Sequence, residues 1–120
     1  MKSLILVFLG GGVGSVLRFI LGKYLNNTPD GWPHGTFLAN ILGSLLIGVV
    51  LGLASKNILS QNQTFLLASG FCGGFTTFST FAYENQLFLK SGDFLSFAIY
   101  TIASFVLGFL AVFLGMYLIK

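Results

Sequence analysis

Long uncharged stretches dominate the chain, and polar residues gather at the breaks between them. No charge falls between Gly35 and Ser55, between Asn57 and Tyr83, or between Phe94 and Ile119. A fourth apolar stretch, from Ser3 to about Gly22, is interrupted only by Arg18. A membrane-crossing helix needs about 20 mostly apolar residues. The pattern therefore predicts four helices, over about 3–24, 35–54, 64–90 and 93–119. Asn26-Asn27-Thr28-Pro29-Asp30-Gly31 supplies turn residues for the first connection. Ser60, Gln61, Asn62 and Gln63 mark the second. Ser91-Gly92-Asp93 forms the third, with Asp93 placed to cap the last helix. Trp32 beside Pro33 suits an interfacial anchor, and His34 reads as a loop residue without a role.

Composition supports the same picture. Of 120 residues, 55% are hydrophobic and only 8% charged, and the mean hydropathy is +0.91. So few charges cannot cover a soluble surface. The expectation is an all-α membrane protein, a single transmembrane domain over residues 1–120 with no room for a soluble one. The start, MKSLILVFLGGGVG, has the Lys and apolar run of a secretory leader. Glycines and Arg18 follow it, not a clear cleavage site, so it reads as the first helix. Cys72 is the single cysteine, lies inside a span and reads as a small buried residue. The net charge of +3 comes from scattered residues at span ends, which argues against nucleic-acid binding. One His, one Cys and three acids are dispersed without metal or triad spacing, so no enzyme site is expected.

Four spans put both termini on one side. That side carries Lys2, Lys56 and Lys120; the other carries Lys23 and Lys90, with Arg18 able to snorkel toward it. The balance gives no preferred orientation. Insertion in both directions would allow an antiparallel dual-topology homodimer; weakly charged loops giving a weak signal is the plainer reading. Small residues four apart, Gly10 and Gly14, Ser44, Gly48 and Gly52, and Ala111 and Gly115, predict close helix packing.

The third segment is the unusual one. Residues 70–81 read GFCGGFTTFSTF, and 64–90 is longer than a span requires. Gly70, Gly73 and Gly74 weaken a helix. Two half-helices with an unwound link near 73–76 are expected; a continuous helix using the glycines for close packing is the alternative. Carbonyls freed at such a break can bind a cation. Oxygen ligands without nearby carboxylates suit a monovalent ion such as Na⁺. After the break, Thr76, Ser79 and Thr80 share one helical face, and Phe78 and Phe81 stand three apart. Aromatic edges are electropositive and hydroxyls donate hydrogen bonds, so this constellation can touch a small anion. Ordinary packing is the plain reading of any one phenylalanine among 14. Thr36, Asn40 and Ser44 line one face of the second helix, and Tyr100, Ser104 and Gly108 one face of the fourth. Asn40 is the least expected, since an amide in hydrocarbon needs partners. Arg18 could concentrate anions at a pore mouth or snorkel to headgroups, and Glu84 could face an aqueous vestibule or pair with a cation.

Taken in order, GGGVGSVLRF at 10–19, GTFLANILGSLLIG at 35–48 and GFCGGFTTFSTF at 70–81 with Glu84 resemble the Fluc (CrcB) family of fluoride channels over essentially the whole chain. Phe37 and Ala39 stand where the family usually has Leu and Val. The resemblance implies an antiparallel dual-topology homodimer in a prokaryotic cell membrane, with two pores that export fluoride passively. It implies that Phe78 and Phe81 line the pore with Asn40 near them, and that Ser79, Thr80, Tyr100 and Ser104 form a polar track. Gly108 falls where some relatives have a hydroxyl. It implies a central structural Na⁺ held by backbone carbonyls of Gly73 and Thr76 from both chains, and vestibule positions for Arg18 and Glu84. Two rival readings remain at this level. One is a proton-coupled small-molecule exporter of the four-helix dual-topology type, for which Glu84 is the sole titratable candidate. The other is a non-transporting assembly subunit.

Overall fold

The structure, a computed structural model, describes residues 1–120. Helix α1 spans Lys2–Leu25 and α2 spans His34–Ser55. Helix α3, residues 61–75, starts as α-helix at Gln61–Thr64, widens to a π-helix at Phe65–Cys72 and closes with Gly73–Phe75. Helix α4 spans Ser79–Lys90 and α5 spans Phe94–Ile119. Counting Gln61–Lys90 as one bent segment, four stretches are long and apolar enough to cross a bilayer. The chain is a multi-pass membrane protein.

Local chemistry sets the ends. The Ser60 hydroxyl accepts the Gln63 N–H while the Gln63 side chain accepts the Ser60 N–H, a reciprocal cap that starts α3. Asn57 takes a left-handed φ of 60° after α2, and Ile58 N–H returns to the Leu53 carbonyl. Asn26 ends α1 and also starts α2, its Oδ1 accepting the N–H groups of Gly35 and Thr36 at 2.7 and 3.2 Å. His34, expected in the loop, is the first residue of α2 and pairs with Asp30 across 2.9 Å. Hydrogen bonds from the Thr28 hydroxyl, the Trp32 N–H and His34 hold the Asp30 carboxyl well below the usual carboxylate range.

Asp93 caps α5, its carboxylate accepting the Ser96 N–H at 3.1 Å. Hydrogen bonds from the Ser96 side chain and backbone lower its pKa. A lowered pKa means the cap contributes above the ordinary carboxylate value and is lost as pH falls through the folded one. Asp93→Ala is therefore expected to lower the melting temperature near neutral pH by a few degrees, and the difference from wild type is expected to vanish in acid. A difference that persists with Asp93 protonated would show that the cap is not its origin.

Backbones meet at glycines. A Cβ on Gly10 would strike the Leu66 carbonyl oxygen, one on Gly14 the Phe71 carbonyl, and one on Gly74 the Gly11 carbonyl. Gly48 and Gly115 make the reciprocal approach between α2 and α5. Small residues let helices pack closely in lipid, where apolar burial gives no drive. Two layers result, α1 against α3 and α2 against α5, joined by α1–α2 and α2–α3 contacts. The protomer is a slab of 48 × 29 × 19 Å. Only 20 of 120 residues are buried, so the apolar outer surface suits lipid or another membrane chain.

Candidate functional site at the helix break

The third segment leaves helical geometry later than its glycines suggest. Gly73 has helical angles, φ −62° and ψ −36°. Thr76 is extended, φ −89° and ψ 157°, and α4 resumes at Ser79. The unwound link is therefore 76–78 rather than 73–76, because Gly70 and Gly74 are occupied in close packing against α1 and need not unwind. Thr76 consequently lies outside the helix that carries Ser79 and Thr80, and does not share their face.

One side chain holds the break open. Asn40 of α2 accepts the Thr77 N–H at 2.8 Å and donates its Nδ2 to the Thr77 carbonyl at 3.2 Å. Both backbone groups of Thr77 are thus satisfied away from water, as membrane depth demands. The helical bond from Thr77 N–H to the Gly73 carbonyl is not made, which releases that carbonyl. One turn along α2, Gly43 makes room; a Cβ there would overlap the Thr76 methyl. On the other side, Arg18 Nε donates to the Gly74 carbonyl at 3.0 Å. The Arg18 guanidinium is thus engaged by the end of α3. The Thr77 hydroxyl accepts the Thr80 N–H at 3.3 Å and lies 3.4 Å from the Ser79 hydroxyl, starting α4. Thr77 is a site residue that reasoning from periodicity passed over, because its importance lies in its backbone.

Beside the break lies a groove of about 530 Å³. Asn40, Thr76, Thr77, Phe78, Phe81 and Ser104 bring both polar and aromatic groups to it. Phe78 is exposed at 72% and Phe81 buried at 7%, their ring centres 5.9 Å apart. Phe81 also meets Tyr100 at 5.0 Å and Phe105 edge-on at 5.9 Å. Gly73 and Gly108 open onto the same groove, and a Cβ at Gly108 would lie 3.7 Å from the Ser44 hydroxyl. Ser79 and Thr80 are not part of its lining; Ser79 is exposed and Thr80 half-buried at the start of α4.

A second cluster lies about midway along α4. Glu84 accepts hydrogen bonds from the Thr36 hydroxyl at 2.6 Å and the Tyr100 hydroxyl at 2.7 Å. Asn26 Nδ2 donates to Thr36 Oγ1 at 3.1 Å, tying the end of α1 into the network. Tyr100 is fully buried, with Trp32 and Phe88 against its ring at 6.0 and 6.1 Å. Trp32, expected as an interfacial anchor, thus also roofs this cluster. Sequence spacing placed Thr36 on the Asn40 face, but nothing local paired it with Glu84, 48 positions away.

Four apolar spans, a mid-membrane break and a polar groove define a helical multi-pass membrane protein of the transport class. The chain belongs to the CrcB family: the family model described as "CrcB-like protein, Camphor Resistance (CrcB)" matches residues 5–116. Among similar proteins, one from Gloeothece citriformis, named "Fluoride-specific ion channel FluC", is 50% identical over 100% of this chain and 98% of its own. One of the same name from Phocaeicola vulgatus is 51% identical over 98% of each chain. A third, from Leptospira interrogans, is 48% identical over 99% of this chain and 95% of its own. Bacterial relatives and four spans make this a multi-pass prokaryotic membrane protein.

Proposed function

We propose that this protein is a fluoride-selective channel that lets fluoride leave the cytoplasm passively and so lowers its toxicity. The observation that carries this reading is full-length identity of about half to chains named as fluoride-specific channels, with Thr76, Thr77, Phe78 and Phe81 lining a groove. Fluoride is small and a strong hydrogen-bond acceptor. Neutral donors such as the Asn40 and Ser104 side chains, with the edges of Phe78 and Phe81, can replace part of its water shell. A ring of cations would bind the ion too firmly for conduction, whereas neutral donors permit exit. Passive flow needs no catalytic group, so the protein is read as a channel and not an enzyme. Ser79, Thr80 and Tyr100, which lie outside the groove lining, would extend the polar track beyond it, and Arg18 and Glu84 would lie toward its vestibules.

The functional unit in this reading is an antiparallel homodimer. Balanced end charges, a slab only 19 Å thick and a groove open along one face support a second copy as partner. The released carbonyl of exposed Gly73, together with that of Thr76, fits a structural Na⁺ completed by the second copy. No His, Cys or acid cluster lies there, and neutral carbonyl oxygens suit a hard monovalent ion. Na⁺ would supply positive charge that fixes the two breaks together.

The test is fluoride release from liposomes holding purified protein, followed with a fluoride electrode, with valinomycin to balance charge and chloride as control. Fast fluoride release with chloride retained is the expected result. Phe81→Ile is expected to slow release by about tenfold or more, because it removes the aromatic edge while keeping apolar volume in the groove. The dimer should still elute intact. Normal flux in that variant would sink the pore assignment. The half-buried Glu84 also suits a proton-coupled exporter. No fluoride release from a folded dimer, combined with transport of a small molecule abolished by Glu84→Gln, would favour that alternative.

A further inference from the structure

Three buried polar atoms have no hydrogen-bond partner: Asn85 Oδ1, Thr101 Oγ1 and Ser104 Oγ. All belong to the α4–α5 pair. Asn85 is 94% buried, being only 6% exposed. It lies four residues after Phe81 and three before Phe88, hence on the same face of α4. Phe81 and Phe88 both meet the Tyr100 ring of α5, at 5.0 and 6.1 Å. The Asn85 amide therefore sits in the seam between them. Thr101 and Ser104 occupy the stretch of α5 between Tyr100 and Phe105, both of which meet Phe81.

Several other hydroxyls in or at the ends of helices are satisfied by a carbonyl three or four residues back. Thr64 donates to the Ser60 carbonyl and Thr76 to the Cys72 carbonyl, each at 2.9 Å. That is the ordinary outcome for a helix hydroxyl, and Thr101 and Ser104 do not adopt it. An amide without a partner in hydrocarbon is strongly disfavoured. Polar groups left free inside a span mark the paths of ions and polar ligands. Ser104 already opens onto the groove.

We infer that Asn85 and Thr101 continue the groove beyond Ser104 into a buried site for fluoride and its residual water, between α4 and α5. The inference rests on the fluoride-channel reading. An amide is suited to such an occupant, since Nδ2 donates to the anion while Oδ1 accepts from its water. The Thr101 hydroxyl can likewise do either. Neutral groups at this point offer hydrogen bonds without a charge that would trap the ion. Glu84, next to Asn85, already has an acceptor bond on each oxygen, from Thr36 and Tyr100.

The experiment is the liposome efflux assay on Asn85→Leu and Thr101→Val, with size-exclusion profile and melting temperature measured beside it. Each variant is expected to slow fluoride release by about tenfold, the effect of losing one hydrogen bond to the ion, while the dimer stays assembled. Melting temperature should hold or rise, because an apolar side chain removes an unpartnered group. Thr101→Ser is expected to recover most of the rate lost in Thr101→Val. Fluoride release within twofold of wild type in Thr101→Val, whether or not Asn85→Leu folds, would overturn the inference and leave the channel reading standing. Wild-type protein that releases no fluoride would overturn both.

Discussion

Replacing Asn40 with leucine is expected to abolish fluoride release and to destabilise the protein more than any other single change in the groove. The leucine would fill nearly the same space, so packing is not the issue. Asn40 makes both hydrogen bonds available to the Thr77 backbone, at 2.8 and 3.2 Å. Leucine makes neither, and at membrane depth water cannot substitute. Two unpaired buried backbone groups at about 1–3 kcal/mol each amount to roughly 2–6 kcal/mol. The chain can relieve this by returning the Thr77 N–H to the Gly73 carbonyl and winding 76–78 into helix. That would rotate Phe78 and Phe81 relative to α2 and close the groove they line. Asn40→Asp should fall between, since a carboxylate accepts the N–H but cannot donate to the carbonyl. Efflux rates and thermal unfolding in detergent check this. Wild-type efflux from Asn40→Leu would show that the break does not depend on the amide.

Gly14→Val is expected to yield little or no folded protein. A Cβ at this position meets the Phe71 carbonyl oxygen and the Phe75 N–H, which are backbone atoms that cannot rotate aside. Relief requires α1 to retreat from α3 along its length, opening the contacts at Gly10 and Gly74 as well. Loss of close helix approach in lipid removes the main attraction between these helices, so a penalty above about 4 kcal/mol is expected. Gly12 provides the control: nothing lies within 4 Å of its Cβ position. Gly12→Ala should be neutral or stabilising by about 0.5–1 kcal/mol, the ordinary helix-propensity gain. Yield of monodisperse protein and its melting temperature separate the two. A well-folded Gly14→Val would refute the α1–α3 packing described here.

The candidate site was partly legible before the fold was known. Asn40 stood out because an amide in a span needs partners, and its spacing from Thr36 was helical. Its partner, however, is the backbone of Thr77, which no side-chain pattern reveals. The glycines illustrate the opposite error. Gly73 and Gly74 suggested the point of unwinding, since glycine weakens helices in isolation. Tertiary contact overrode that preference: Gly74 lies against Gly11, and the chain unwinds at Thr76, where Asn40 provides alternative hydrogen bonds. Arg18 read as a charge near a pore mouth, and its hydrogen bond to the Gly74 carbonyl was not legible in the sequence. Glu84 read as a vestibule acid, and its two hydroxyl donors come from α2 and α5.

By itself the sequence determined the four spans, the turns between them, the Asp93 cap, the helical class and the family. Hydropathy over about 20 residues, cap chemistry and motif order are properties of short stretches, and each can be read without knowing what packs where. Only the tertiary structure decided where the third segment opens, which glycines meet which backbones, and how Thr36, Glu84 and Tyr100 become one network. Those features depend on backbone groups and side chains far apart in the chain meeting at membrane depth, where every polar group must find its partner within the protein.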